Sequence, residues 1–148
     1  MAEWTSVAVQ TVNPGESIVF TENSEPCYRG LILHRDDSGA FLLKGIDNTA
    51  CNCGCARSRV VRYDASFGAN IAIPIGEAVG PISVAIAIDG NTLAGTTMTV
   101  TPAAVEEFFN VSRETGIPIW RGCCQTISIR NTSTIPILVQ AANLKITK

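Results

Sequence analysis

The run from Gly80 to Gly90, GPISVAIAIDG, leaves this chain little choice of architecture. Ile82, Val84, Ile86 and Ile88 recur at every second residue, with Ser83, Ala85 and Ala87 between them. Side chains alternate across a strand with period two, whereas a helix repeats about every 3.6 residues, so the run predicts a β-strand. Its second face is small and apolar rather than charged. That predicts burial on both sides, in the interior of a close-packed β assembly. It also makes Ser83, Ala85 and Ala87 candidates for contact with a neighbouring subunit. Asp89-Gly90-Asn91 supplies the turn that ends the strand.

Other segments read the same way. Thr5 to Val12 runs to Asn13-Pro14-Gly15, a strong turn signal. Ser17 to Thr21 places Ile18 and Phe20 on one face. Leu31 to His34 and Phe41 to Lys44 flank Asp36-Asp37-Ser38-Gly39, the pattern of a hairpin. Arg57 to Phe67 is the longest candidate, with Val61, Tyr63, Ala65 and Phe67 in phase. Pro74 demotes Ile71 to Ile75 to an edge or exit loop. Thr96 to Thr101 and Gln125 to Arg130 alternate. Ile135 to Ile146 changes phase midway, which predicts a bulge or two-sided burial. Thr101 to Val111 alone has a helical alternative: Pro102 suits a first helical position, and Val105, Phe108 and Phe109 fall at i, i+3 and i+4. One or two helical turns, or an irregular strand, are expected there, with both Phe side chains buried. Roughly ten short strands separated by turns predict an all-β sandwich, with a jelly roll the best single choice.

Composition narrows function. The chain has 148 residues, 46% hydrophobic and 16% charged, with a formal net charge of −2. One domain spanning 1–148 is expected, with surplus apolar surface buried between subunits. No apolar run approaches the roughly 18 to 20 residues that cross a bilayer, so no membrane partner is expected. Met1-Ala2-Glu3-Trp4 reads as an acidic start without a secretory signal. The acidic balance argues against nucleic-acid binding; Arg57, Arg59 and Arg62 form the only basic cluster and read as a solvated strand face.

Six cysteines stand out: Cys27, Cys51, Cys53, Cys55, Cys123 and Cys124. Cys51-Asn52-Cys53-Gly54-Cys55 places three thiols on alternate positions, so an extended segment would project them to one side. Zinc ligation, disulfides and free thiols all remain open, and no metal or cofactor is assigned. Adjacent Cys123 and Cys124 point to opposite faces of a strand, which disfavours a bond between them. Enzyme readings are weak. A cysteine nucleophile needs a base, and His34, the only histidine, falls out of phase with Leu31 and Leu33, which reads as a surface or subunit-interface position. No P-loop, dinucleotide fingerprint, nucleophile elbow or HExxH occurs. Trp120 reads as a core or interface residue. No catalytic residue is assigned.

The order NPGESIVF, HRDDSGAFLLKG, GPISVAIAIDG, TPAAVEEFFNV and ISIRNTSTIPILVQAANLKI resembles a group of small proteins from phages and prophages of Gram-positive gut bacteria. The C-terminal half is similar in layout to the trimeric heads of complement-type and tumour necrosis factor-like proteins, and to the heads of bacterial collagen-like spore-surface proteins. The resemblance implies a homotrimer that packs one sheet from each subunit around a threefold axis, with Ser83, Ala85, Ala87, Phe108, Phe109 and Trp120 as interface candidates. It implies no enzymatic activity. The expected role is a capsid decoration or auxiliary head protein on the virion surface, its partners being itself and the major capsid lattice or a host surface. The alternatives are a receptor-binding or fibre-tip head, and a sponge that traps a host small molecule. No Gly-X-Y stalk is present, which favours a free-standing virion component.

Overall fold

Alternation organises the whole chain in the computed structural model, which describes residues 1–25, 30–34, 38–45 and 60–148. Among the described residues, one antiparallel sheet contains β1 (Ala2–Ser6), β2 (Gln10–Val12), β3 (Glu22–Glu25), β6 (Val60–Ala72), β10 (Phe109–Trp120) and β12 (Ile137–Thr147). Its order is β10-β6-β12-β1-β3, with β2 also pairing β12. The second sheet contains β4 (Ile32–His34), β5 (Phe41–Lys44), β7 (Ile82–Ile88), β8 (Asn91–Thr92), β9 (Met98–Val100) and β11 (Cys124–Asn131). Its order is β4-β5-β11-β7-β8, with β9 also on β7. The two sheets stack into the expected all-β jelly-roll sandwich. They are called here the first and second sheet.

The core follows the period-two reading. Val61, Tyr63, Ala65 and Phe67 of β6 all point inward and are buried, as are Ile82, Val84 and Ile86 of β7. β7 lies inside its sheet, and its terminal turn has positive φ at both Asp89 (50°) and Gly90 (82°), the backbone that a two-residue hairpin with right-handed twist requires. Chain crossings are tied by polar groups. The Tyr63 hydroxyl on the first sheet donates to the Lys44 carbonyl on the second at 2.6 Å. At one lateral opening Phe41 packs against Trp4, Phe20 and His34, with ring centroids 4.7, 5.5 and 4.3 Å away, which seals β1 and β3 against β4 and β5.

Three local readings are resolved. The phase change in β12 is a bulge: Ala141 adopts φ 50°, and the register to β6 shifts between Gln140 and Asn143. Ser17 to Thr21 makes no ladder strand; it holds one bridge, Ser17 to Arg130, although Ile18 and Phe20 are fully buried as their spacing predicts. Thr101 to Val111 is not helical. The Glu107 carboxylate accepts from the Ala103 and Ala104 amides, which closes a local turn, and Phe109 then opens a 12-residue ladder with β6. That ladder satisfies more backbone groups than one helical turn can. Phe108 and Phe109 consequently lie at the surface, 38% and 37% exposed, rather than buried.

Asn131 is a buried polar node that ties three segments together. Its buried side-chain amide donates to the Val12 carbonyl (2.9 Å) and the Ile135 carbonyl (3.0 Å), and its Oδ1 accepts from the Ser133 amide (2.8 Å). Asn131→Ala strips both donors and leaves two carbonyls without partners, so it is expected to lower stability by about 2–4 kcal/mol. Urea unfolding followed by circular dichroism measures this; an unchanged midpoint would show that the node is not structural.

Candidate functional site

Functional surface on this scaffold concentrates at its two ends and on one open sheet face. β10 runs the full height of the sandwich, from Phe109, paired with Ile71, to Trp120, paired with Val60. At about 3.3 Å per residue those ends lie roughly 35 Å apart.

At the Trp120 end, Trp120-Arg121-Gly122-Cys123 forms a turn, with the Cys123 amide donating to the Trp120 carbonyl at 2.9 Å. Gly122 takes φ 84°, which suits its third position in the turn. Gly45 lies against this turn, its amide on the Cys123 carbonyl and its carbonyl on the Gly122 amide. A Cβ on Gly45 would clash with the Trp120 and Cys123 carbonyl oxygens, so only glycine permits that approach. Trp120 is 63% exposed, and Cys123 and Cys124 are free and exposed. Lys44 sits opposite Cys124 in the ladder, and Arg62 and Arg121 are exposed nearby. This end is basic. Cys27, Cys51, Cys53 and Cys55 lie outside the described residues, as do Arg57 and Arg59.

The opposite end has the reverse character. The Glu106 amide donates to the Ile73 carbonyl at 2.8 Å, which lays the 103–108 turn beside the 74–79 loop. Ile75 (73% exposed), Val79, Val105, Phe108 and Phe109 are surface residues there. Glu16, Glu77, Glu106 and Glu107 accompany them, and no Lys or Arg occurs anywhere between Arg62 and Arg113. The lack of Lys and Arg over that stretch is visible in the sequence, but only the fold brings its 74–79 and 103–108 segments together at one end.

The small-residue face of β7 does not form an open surface. Ala85 and Ala87 are fully buried within a single copy. Arg130 pairs with Ala85 across the ladder, and its Nη1 donates to the Gly90 carbonyl at 3.0 Å. Its aliphatic stem therefore runs along β7 over Ala87, with Nε buried and unpartnered. Ser83 is half-buried and bonded to Ser133 and Thr132. Ala85 and Ala87 are thus covered within a single copy. His34 is half-buried, stacked on Phe41, with Nε2 2.9 Å from the Ser38 carbonyl, and it borders a surface groove. Leu33 takes the outward position and lines a shallow groove with Leu42 and Thr126.

The open face belongs to the first sheet. Ser66, Gly68 and Asn70 of β6 alternate with buried Phe67 and Ala69, and register sets them beside Glu114, Ser112 and Asn110 of β10. On the other side Gln140 adjoins Asn70 and Asn143 adjoins Gly68. Asn110 donates to Asn70 at 3.1 Å. The centre of this face is small, polar and low in relief.

No protein-family model and no curated protein matches the chain. Among solved structures it is similar to the globular domain of a zebrafish complement 1qA protein, with 8% identity and a TM-score of 0.52 over 97% of this chain and 94% of that one. It is also similar to the EclA C-terminal domain, a sugar-binding protein (15% identity, TM-score 0.40, 96% and 79% covered), and to a family 35 carbohydrate binding module from an environmental isolate (11%, 0.39, 100% and 93%). The complement match supports the jelly-roll fold; the other two are too distant to bear on the argument.

The two tryptophans report the two environments separately. Trp4 is 2% exposed and Trp120 63%. Trp120→Phe is expected to shift emission to the blue and remove most iodide quenching, while Trp4→Phe does the opposite. Equal quenching of both single variants would contradict the exposed turn.

Proposed function

We propose that this chain is a non-catalytic structural protein: a homotrimeric jelly roll that decorates the surface of a phage particle, partnered by its own copies and by the capsid lattice. The phage assignment rests on the resemblance of its strand and turn phrasing. The observation that supports the trimer is the open face of the first sheet. Ser66, Gly68 and Ser112 keep that face flat, so another copy's backbone can approach closely. The amides of Asn70, Asn110 and Gln140 offer both donors and acceptors to an identical neighbour. Arg130 already covers part of the β7 face, which leaves the first sheet the more open of the two.

Gly68 is the position to test. It has no positive φ, and a Cβ there would meet only the Val111 carbonyl oxygen, at 3.9 Å, so a side chain fits the monomer and projects outward. Sedimentation equilibrium of the unaltered protein at roughly 500 mM salt is expected to give three times the chain mass. Gly68→Arg is expected to give the chain mass itself with an unchanged β-sheet circular dichroism spectrum. A stable monomer before substitution, at roughly 10 µM where most specific assemblies hold together, sinks the trimer. Copy number in purified particles tests the role: many copies per particle are expected. Few copies with sugar binding would instead indicate a fibre-tip head, and absence from particles with retention of a host nucleotide would indicate a sponge.

A further inference from the structure

The two ends of the molecule complement one another. One end presents apolar Ile75, Val79 and Phe108 with Glu77, Glu106 and Glu107 around them. The other presents Trp120, a large exposed aromatic, beside Arg121, Arg62 and Lys44. Trp and Arg are the residues most often found at the energetic centre of protein interfaces, where the ring is buried in an apolar pocket and the cation is paired. This chain carries its own counterpart for both, roughly 35 Å away along one strand.

We propose that copies associate head to tail, with the Trp120 and Arg121 turn of one copy seated on the apolar, glutamate-fringed cap of the next. The occupant of the cap is a second copy. The argument is charge complementarity: the cap contains no Lys or Arg to oppose a basic surface, and the far end supplies one. An anionic membrane is a poor occupant of the cap, because the glutamates repel it. The contact is heterologous, since the two surfaces differ, and heterologous contacts propagate into open stacks unless the rotation closes a ring. This inference stands apart from the trimer. A monomer has the same two ends.

Two blocked variants test it by complementation, in reducing buffer so that Cys123 and Cys124 cannot cross-link. The first, Phe108→Ser with Glu106→Lys, destroys the cap; the second, Trp120→Ser with Arg121→Glu, destroys the basic end. All lie on exposed turns or strand ends, and circular dichroism together with the thermal midpoint establishes that each variant is folded. Sedimentation velocity of the unaltered protein at low salt is expected to show species larger than the unit present at high salt. The association should weaken about tenfold or more between roughly 50 and 500 mM salt. Each blocked variant alone should stay at the unit size. Their equimolar mixture should form a complex of two units and stop there, because only one intact cap meets one intact basic end. The proposal is overturned if the unaltered protein shows no salt-dependent growth at about 100 µM, if either blocked variant still grows alone, or if the folded variants fail to pair when mixed.

Discussion

Each sheet of this molecule is apolar on one side, and neither apolar side is stable in water. Tyr63, Phe67, Ile71 and Leu144 face inward from the first sheet; Ile82, Ile86, Ile127 and Ile129 face them from the second, and all are essentially fully buried. Mutual burial is the only arrangement that hides both sets at once, and at about 25 cal/mol per Å² it is the dominant favourable term. The polar groups accommodate themselves to it. The Tyr63 hydroxyl, the Asn131 amide and the Gln10 amide, which both donates to the Val19 carbonyl and accepts from the Val19 amide, each satisfy backbone where the chain leaves a ladder. Without them the crossings would bury unpaired groups.

The same constraint explains where function can reside. A closed sandwich has its core sealed between the sheets, and at one side Phe41 completes the seal. What is left to vary is outer faces and ends. In this chain the outer face of the second sheet is partly covered by the stem of Arg130, the outer face of the first is polar and flat, and the ends differ from each other in charge and hydrophobicity. The only free thiols among the described residues sit exposed on a turn, away from the buried core.

Much of this was legible in the sequence because period two is a local property. The inward set of β6, the Asp89-Gly90 turn, the exit at Pro74 and the bulge in β12 all follow from residue type and spacing. What spacing cannot supply is the identity of the covering group. Ser83, Ala85 and Ala87 share a face by alternation, yet whether a neighbour or an arginine from β11 covers it depends on a pairing some 45 residues distant along the chain. Leu33 shows a related limit: hydrophobicity put it in phase with Leu31, yet it is 43% exposed, while its neighbour His34 stacks on Phe41. Phe108 and Phe109 had helical spacing, and the long ladder to β6 prevailed over it. The character of the two ends was the least legible feature, because each is assembled from segments far apart in sequence.

β10 has a mechanical consequence. Its twelve residues pair with β6 without interruption, and antiparallel hydrogen bonds lie across the strand direction. A load that pulls β10 at one end of the sandwich and β6 at the other therefore shears the ladder and divides itself over its whole length. A load at one end of a hairpin, by contrast, breaks bonds one at a time. A copy held by β10 at one end and pulled by β6 at the other bears tension in the orientation in which a β-sheet resists it best.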